Sequence, residues 1–462
     1  MHREPWFLFA FLATLCLMLG LAVAGAGSVR GHTDFTLAGR RAGHWKVSGA
    51  IMGTLVGGAS TVGTVQLAFL FGLSAWWFTL GAGLACLFLG LFLARPLRRR
   101  GVETIPEFIA RDHGERVRKA AGLFSALGMF IHVVAQLLAA AAILSSLFGF
   151  SLKEGALLAA LLVALVTWRG GMPGAGTLGL AKLFFLYLTM IGAGLLAYRL
   201  SGGWSGLRES FAPFPWFSLF GHGTAAGLSD LVAMLVGVVS TQTYLQAVFS
   251  ARDEQAARKG ALISAALIPP LGLFGISVGL YMRQSAPTMD SARALPEFLL
   301  HHMHPGFAGL AFAALLIAAV ATAAGLTLGV GTTLRGDLLA ARRFGAQELL
   351  VMKALTLGVV LLALGLVLLN LGSAIMDWSF LSMGLRGATL CLPLLAAVFL
   401  GARTSPSGGA LAVLVGPTTV ILVGLGDMLP GPPLFWGLGA ALAAFALVWR
   451  RERRLRKNDS LS

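Results

Sequence analysis

Long apolar segments separated by short polar loops run through this chain from end to end. An apolar helix of about 20 residues, at 1.5 Å per residue, crosses the roughly 30 Å hydrocarbon core of a bilayer. Thirteen segments are candidates for such spans. They cover about 5–26, 46–71, 74–95, 120–148, 152–168, 177–199, 226–249, 260–282, 306–333, 347–370, 374–400, 408–427 and 432–449. The pattern predicts an all-α membrane protein with about thirteen transmembrane helices.

Composition supports the same class of protein. Of 462 residues, 57% are hydrophobic and 12% are charged, a balance that no soluble domain of this size sustains. The net charge of +16 would suggest a nucleic-acid partner in a soluble protein, but no basic run is interleaved with aromatic residues in a soluble module. The three cysteines stand far apart in apolar segments and form neither a disulfide framework nor a zinc spacing. We therefore expect the lipid bilayer as a partner and no nucleic acid.

Lysine and arginine are distributed unevenly between the loops on the two sides. Seven regions hold 26 of these residues, and the loops of the opposite set hold six. The seven regions are 27–46, 95–119, 169–176, 250–259, 334–345, 401–407 and the tail from Arg450. Because positive loops stay in the cytoplasm, we expect a plasma (inner) membrane protein with its N-terminus outside and its C-terminus in the cytoplasm.

Both ends of the chain allow a further expectation. The first segment is either an uncleaved helix or a signal peptide, since Ala22-Val-Ala24 and Ala24-Gly-Ala26 resemble cleavage sites. We favour the uncleaved helix, because the charges of Arg3 and Glu4 cancel. The short basic tail leaves no room for a catalytic or signalling domain, so we expect none there.

Two of the predicted spans are interrupted by glycine and hydroxyl residues. The first interruption contains Gly53, Gly57, Gly58, Ser60, Thr61 and Gly63, and the second contains Gly237, Ser240, Thr241 and Gln242. Each glycine costs a helix interior about 1 kcal/mol relative to alanine. Loosened backbone is tolerated at membrane depth only where it faces protein or a water-filled cavity. Such broken helices mark transporter binding sites, although close helix packing is an alternative explanation of the glycines.

The interrupted segments begin two blocks of five spans. An odd number of spans inverts the second block relative to the first, which predicts a five-plus-five inverted-repeat transporter fold with two broken helices. We divide the chain into a first helix with its loop, the first repeat, the second repeat, two peripheral helices and a basic tail. These parts are 1–45, 46–200, 201–401, 402–449 and 450–462.

Five stretches resemble the sodium:solute symporter family, over roughly residues 33–415. They are DFTLAGR at 34–40, GGASTVGTVQLAFLFGLSAWWFTLG at 57–81, GVETIPEFIARDHG at 101–114, TQTYLQAVFSARDEQAARKGA at 241–261 and GFAGLAFAALLIAAVATAAG at 306–325. The resemblance implies the same inverted-repeat fold and the import of a small organic solute driven by sodium. It leaves the identity of the solute open.

The resemblance also implies a sodium site beside the first broken helix. Its backbone and side-chain ligands correspond by position to Gly53, Val56, Ala318, Ala321 and Thr322. Ala321 stands where the family has a hydroxyl, and Gly179 stands where a carboxylate is often found. Since a hard cation such as sodium binds about five or six oxygen atoms, the site is depleted. Lys182 follows Gly179 by one helical turn.

Lys182 has two readings that the sequence leaves open. If it faces the core, its ammonium supplies the charge of the missing ion, and transport is proton-coupled or uncoupled. If it snorkels to the cytoplasmic interface, Thr322 and the carbonyl oxygens hold sodium weakly. Gly179, Lys182 and Leu186 share one helical face, which favours the inward orientation. Sodium or a proton is therefore the expected coupling ion, with no other cofactor.

The remaining polar residues of the spans provide a candidate pocket and a candidate gate. We expect the solute pocket to be lined by Gly57, Gly58, Ser60, Thr61, Thr241 and Gln242. Half-helix N-termini favour anionic groups, so we expect a carboxylate-bearing solute. Arg386, with Gln246, is a candidate for the gate or vestibule, where Arg386 either pairs with Asp377 or lines the outer vestibule.

Two groups of polar residues that contain histidine give weaker indications of function. His132 and Gln136 lie one turn apart and are expected to form a packed polar pair rather than ligands. The HHMH run, with His301, His302 and His304, is a weak metal candidate.

The sequence thus predicts a secondary active importer of a small molecule. An enzyme is not expected, because no nucleophile–base pair, metal cluster or nucleotide loop is visible. The alternative from another class is a transport-inactive membrane sensor or scaffold, for which the missing sodium hydroxyl is the argument.

Overall fold

The structure, a computed structural model, describes residues 4–26, 40–102, 104–169, 175–335, 348–426 and 429–459. These residues are almost entirely helical. In chain order the α-helices are α1 (Pro5–Ala26), α2 (His44–Leu55), α3 (Thr64–Phe71), α4 (Trp77–Phe88), α5 (Ala94–Arg99), α6 (Ile105–His113), α7 (Glu115–Phe148), α8 (Leu152–Arg169), α9 (Ala175–Leu200), α10 (Gly203–Ser210), α11 (Pro213–Trp216), α12 (Thr224–Val239), α13 (Gln242–Phe249), α14 (Glu254–Ser285), α15 (Ala294–His302), α16 (Pro305–Thr333), α17 (Glu348–Leu369), α18 (Ile375–Phe399), α19 (Pro406–Gly426) and α20 (Pro433–Asp459).

Every predicted apolar segment overlaps at least one of these helices. By length and composition, nine helices in the described ranges can cross a membrane, or ten if α12 and α13 count as one bent span. The chain is therefore a multi-pass membrane protein. The count of thirteen spans and the inverted repeat stay predictions.

One continuous helical stretch explains part of the difference in number. Ala59–Arg99 is 41 residues long, about twice what a span needs, and it contains α3, α4 and α5. Gly72 divides α3 from α4 with φ +62, a value that favours glycine. A side chain there would also overlap the backbone of Trp216.

The centre of the protein is formed by three long helices around the first broken one. The most apolar windows of α7 and α16 are each 83% buried, and that of α18 is 78% buried. By contrast, the window of α20 is 22% buried and that of α17 is 28% buried, so these helices lie at the periphery. The polar side chains of His132, Gln136, Thr322 and Arg386 on these three helices are accordingly buried in protein.

Both predicted helix breaks are present. The helix α2 ends at Leu55, Val56 is extended (φ −85, ψ 98), and a π-helical turn over Ala59–Gly63 leads into α3. The helix α12 ends at Val239, and the chain resumes as α13 after Ser240 and Thr241 with a bend of 42°. The breaks thus lie at Val56–Gly57 and at Ser240–Thr241.

On the predicted cytoplasmic side, a short backbone bridge joins the ends of the two broken helices. Ala42 N donates to Ser250 O at 3.1 Å, and Arg252 N donates to Ala42 O at 2.9 Å. Arg98 Nε donates to Ala251 O at 2.6 Å from α5. We call Ala42, Ser250, Ala251 and Arg252 the inner bridge.

Candidate functional site

Hydroxyl side chains satisfy the backbone at the first break. Ser60 Oγ accepts from Gly57 N at 2.9 Å and donates to Gly57 O at 3.0 Å. Thr61 Oγ1 donates to Gly57 O at 2.9 Å and to Gly58 O at 3.2 Å. Backbone groups released by an interrupted helix need such partners, because membrane hydrocarbon offers none. These two predicted pocket hydroxyls are thus engaged by their own turn.

The second break is held in the same way. Thr241 Oγ1 donates to Gly237 O at 2.7 Å. The side chain of Gln242 points away from the break, and its Oε1 accepts from Ile105 N at 2.8 Å, at the start of α6. Gln246 lies one turn further along α13. The predicted roles of Thr241 and Gln242 toward a solute, and of Gln246 at a gate, stay predictions.

The two glycines of the first break lie in a crowded place. A Cβ on Gly58 would lie 2.8 Å from the Cβ atoms of Ala139 and Ala319, which belong to α7 and α16. A Cβ on Gly57 would lie 3.0 Å from Thr322 Oγ1. The absence of side chains therefore lets the broken turn pack directly against the central helices.

Lys182 faces the protein interior. Its side chain is 3% exposed, and its Nζ donates to Gly53 O and to Thr322 Oγ1, both at 2.8 Å. Thr322 Oγ1 in turn donates to Ala318 O at 2.7 Å. In the described structure the ammonium therefore occupies the place between the broken helix and α16 where the predicted sodium ligands converge.

The helix break explains why Gly53 O is available. In a continuous helix this carbonyl oxygen would accept from Gly57 N, four residues later. Gly57 N instead donates to Ser60 Oγ. The Lys182 ammonium thus takes over an acceptor that the break releases.

The other predicted ion-site residues contribute less. Val56 is buried, and its N–H donates to Met52 O at 2.7 Å. Ala321 is half-buried in α16 and carries no side-chain oxygen. Gly179 lies in α9, but its surroundings fall outside the described residues. Thr322 is therefore the one described side-chain oxygen of the predicted ligand set.

A polar relay connects the first break to Arg386. Gly58 N donates to Gln136 Oε1 at 3.0 Å, and Gln136 Nε2 lies 3.1 Å from His132 Nε2. His132 Nδ1 lies 3.2 Å from an Nη2 of Arg386. The predicted polar pair of His132 and Gln136 is thus part of a longer chain of contacts. This chain runs from Gly58 at the first break, across α7, to Arg386 on α18.

Arg386 is 1% exposed and is held by its own helix. Its Nη2 donates to Ser382 Oγ at 2.8 Å, and its Nε donates to Ser382 O at 3.2 Å. Its aliphatic stem packs over Gly128 of α7. Of its two expected roles, the pair with Asp377 is not among the described contacts, since Asp377 lies at the start of α18, more than two turns away; a place in the outer vestibule stays a prediction.

The HHMH run lies beside a cavity on the predicted outer side. His301 and His302 help to line this cavity, whose volume is about 960 Å³. His301 Nε2 lies 3.2 Å from Glu297 Oε2, and His304 Nδ1 accepts from Gly306 N at 3.2 Å. Among the described residues there is no group of three or more His, Cys, Asp or Glu side chains suited to hold a metal ion.

Sequence reasoning overlooked two buried side chains that connect distant helices. Gln66 of α3 is 3% exposed, and its Oε1 accepts from Ile375 N at 2.8 Å. Ser382 Oγ donates to Gly128 O at 2.6 Å. A glutamine inside an apolar span is a signal for Gln66, whereas Ser382, one of two serines in α18, gave none.

This chain resembles known transporters in sequence and in fold. The sequence model of the sodium:solute symporter family matches residues 35–193. An uncharacterized symporter, YwcA, of Bacillus subtilis is 26% identical over 177 residues, which are 38% of this chain and 34% of the relative. The human high affinity choline transporter 1 is 22% identical over 271 residues, which are 54% of this chain and 45% of the relative. The chain thus matches less than half the length of these relatives.

Solved structures extend the likeness to the whole fold. A Na⁺-coupled sialic acid symporter in a substrate-bound, outward-open state has a TM-score of 0.75 at 17% identity, covering 97% of this chain and 98% of that chain. A closed nucleobase-cation-symport-1 family transporter has a TM-score of 0.59 at 12% identity, covering 92% and 95%. The manganese transporter of Eremococcus coleocola has a TM-score of 0.57 at 14% identity, covering 93% and 97%.

These likenesses argue against an enzyme, since the family and its relatives are transporters. They confirm the resemblance read from the sequence motifs. Residues 35–193 carry the sequence pattern of the sodium:solute symporter family, and the described chain has the all-helical fold of membrane transporters.

Proposed function

We propose that this protein is a secondary transporter that imports a small organic solute by alternating access, and that the Lys182 ammonium replaces sodium. The N-terminus lies outside the plasma membrane and the C-terminus in the cytoplasm. The observation that carries the proposal is the pair of 2.8 Å contacts from Lys182 Nζ to Gly53 O and Thr322 Oγ1. Both acceptors belong to the ligand set that the family resemblance implies for sodium.

Electrostatics supports this replacement. Two unit charges about 3 Å apart repel by roughly 5 kcal/mol, even at an effective dielectric constant near 20. The ammonium also uses the Thr322 hydroxyl and the released Gly53 carbonyl. Sodium therefore gains neither charge compensation nor ligands while Lys182 is in place. Transport is then coupled to protons through the Lys182 amine or proceeds without coupling.

The charge of the site favours an acidic solute over a cationic one. Similar proteins are named for two different solutes, sialic acid and choline. Two buried cations, Lys182 and Arg386, lie near the first break or are connected to it. Because like charges repel in a medium of low dielectric constant, a carboxylic acid suits this environment better than a quaternary ammonium. Sialic acid is therefore the first probe for uptake, and choline is the contrasting one.

The experiment measures uptake into proteoliposomes. A thermal-shift screen of metabolites, with and without sodium, first identifies solutes that stabilise the purified protein. Uptake of a hit is then measured with sodium and pH gradients imposed separately, for wild type and Lys182→Gln. Lys353→Gln is the matched control, because Lys353 also lies in a predicted span but contacts the ring of Trp168 at the periphery.

We expect a sodium gradient to leave the uptake rate unchanged, and a pH gradient or the solute gradient alone to drive uptake. The uptake rate should fall sharply in Lys182→Gln but not in Lys353→Gln. Sodium-driven uptake that survives Lys182→Gln would return the protein to the mechanism of its family. Solute binding without uptake under any gradient would instead favour the sensor alternative.

A further inference from the structure

Arg386 is a buried cation that lacks an anionic partner. It is 1% exposed, and its described contacts are with Ser382, Met383 and His132, none of which carries a negative charge. Its Nη1 is buried and has no hydrogen-bond partner among the described residues. Charges inside a membrane protein are costly unless they are paired, so this arrangement implies a missing acceptor.

The relay beside Arg386 has one donor too many. Its ends, the Gly58 N–H and the Arg386 guanidinium, both donate. If Gln136 Oε1 accepts from Gly58 N, its Nε2 donates to His132 Nε2, and the proton on His132 Nδ1 then faces the guanidinium. If His132 Nδ1 accepts from Arg386 instead, the conflict moves to Gln136 and Gly58.

Neither orientation of the Gln136 amide and neither neutral tautomer of His132 removes this conflict, and a protonated His132 adds a further donor. An added group that accepts a hydrogen bond from the surplus N–H, as well as from the guanidinium, would remove it. A carboxylate is such a group, and it also supplies the missing negative charge. The orphaned Nη1 and the surplus donor are thus two separate signs of the same missing chemistry.

We propose that Arg386 binds the carboxylate of the transported solute, with Nη1 as the unoccupied donor and Ser382 as the side chain that holds the guanidinium in place. This inference rests on the proposed function and specifies its substrate class as monocarboxylic acids. In the described structure the site is closed, so the solute reaches Arg386 during the conformational cycle. The relay to Gly58 then connects carboxylate binding to the broken helix.

The test is a binding measurement on purified full-length protein. The probes are potassium acetate and potassium benzoate, compared with equal concentrations of acetamide or benzamide plus potassium chloride. The amides keep the size of the acids without the charge, and chloride tests for a simple anion site. The variants are Arg386→Gln, Arg386→Lys and the control Arg208→Gln, which removes an exposed arginine.

We expect carboxylates to raise the unfolding midpoint of wild type and Arg208→Gln, whereas amides and chloride do not. Affinity for benzoate should fall roughly 30-fold or more in Arg386→Gln, as when one partner of a buried charge pair is removed. If that variant does not fold, Arg386→Lys carries the test, with a weaker but surviving preference for carboxylate over amide. Equal affinity in wild type and the Arg386 variants, or equal stabilisation by chloride, would overturn the inference.

The outcomes separate this inference from the proposed function. If no uptake is measured but binding still prefers carboxylates in a way that depends on Arg386, only the transport proposal is overturned. Active uptake of a neutral solute, unaffected in Arg386→Gln, would remove the carboxylate proposal only.

Discussion

Lys182 and Arg386 are both buried cations without a carboxylate partner, but their surroundings differ. The contacts of Lys182 are with oxygen atoms that accept hydrogen bonds, and one of these is released by the helix break. Arg386 has an unpaired nitrogen and faces a relay that contains a surplus donor. A buried cation whose donors all meet acceptors needs no further ligand. One whose donors outnumber the acceptors around it can bind an added acceptor. This difference assigns Lys182 to the place of an ion and Arg386 to the solute.

The largest expected effect tests whether Lys182 takes the place of sodium, by rebuilding a sodium site without the lysine. In the double variant Lys182→Ala and Ala321→Ser, the ammonium is removed and the lost hydroxyl restored. We expect sodium to stabilise this variant by about 2.7 kcal/mol at a hundredfold excess over its Kd, whereas wild type does not respond. Unfolding midpoints in potassium and sodium salts measure this effect. A sodium response in wild type would show that Lys182 does not fill the site.

Truncating each cation alone should give opposite results. In Lys182→Met, Gly53 O loses its donor, and we expect destabilisation of about 2 kcal/mol. In Arg386→Met an unpaired buried charge disappears, so the ligand-free variant should be as stable as wild type or more stable. Thermal unfolding in the same detergent compares the two. Equal destabilisation by both substitutions would mean that Arg386 is satisfied where it stands.

The hydrogen bonds around Lys182 at the first helix break also depend on Ser60. In Ser60→Ala the buried Gly57 N–H loses the acceptor that diverts it from Gly53 O. We expect a cost of about 1.5 kcal/mol, typical of a buried donor left unpaired. Thr61→Ala is the matched comparison and should cost less, since Gly57 O keeps its bond from Ser60. If Thr61→Ala unfolds at a lower midpoint than Ser60→Ala, the bond from Gly57 N to Ser60 is not the more important of the two.

A contact that involves neither cation provides the baseline. Gln242→Ala removes the bond to Ile105 N, and we expect a loss of only about 0.5–1 kcal/mol, because the first N–H groups of a helix can find other partners. Because this bond holds Gln242 toward α6, we expect the sodium insensitivity and the carboxylate preference of wild type to be unchanged, in contrast to the pocket role that the sequence suggests. A change in either property would mean that Gln242 contributes to a binding site.

Much of the fold was predictable because hydropathy and glycine interruptions are local signals. The apolar segments and both breaks follow from composition over about 20 residues. The sequence could not decide the direction of Lys182, since a lysine near a helix end can either snorkel or face inward. Its contacts with Gly53 and Thr322 join residues 129 and 140 positions away.

The roles of the hydroxyl side chains were harder to predict. The pattern of interrupted apolar spans predicts that Ser60, Thr61 and Thr241 contact a solute, yet each donates to a carbonyl oxygen of its own break. A residue that breaks a helix also has to satisfy the backbone it releases, and sequence alone does not separate these functions. The contact of His132 with Arg386 spans 254 positions and has no local signal.

The inner bridge has a mechanical consequence. Ala42 precedes α2, and Ser250–Arg252 follow α13, so backbone bonds between them fasten the inner halves of both broken helices together. Substitutions other than proline leave the donors and acceptors of these bonds in place, because they belong to the main chain. We therefore expect the two inner half-helices to move together, about hinges at Val56–Gly57 and at Ser240–Thr241, so that a movement at one break is accompanied by a movement at the other.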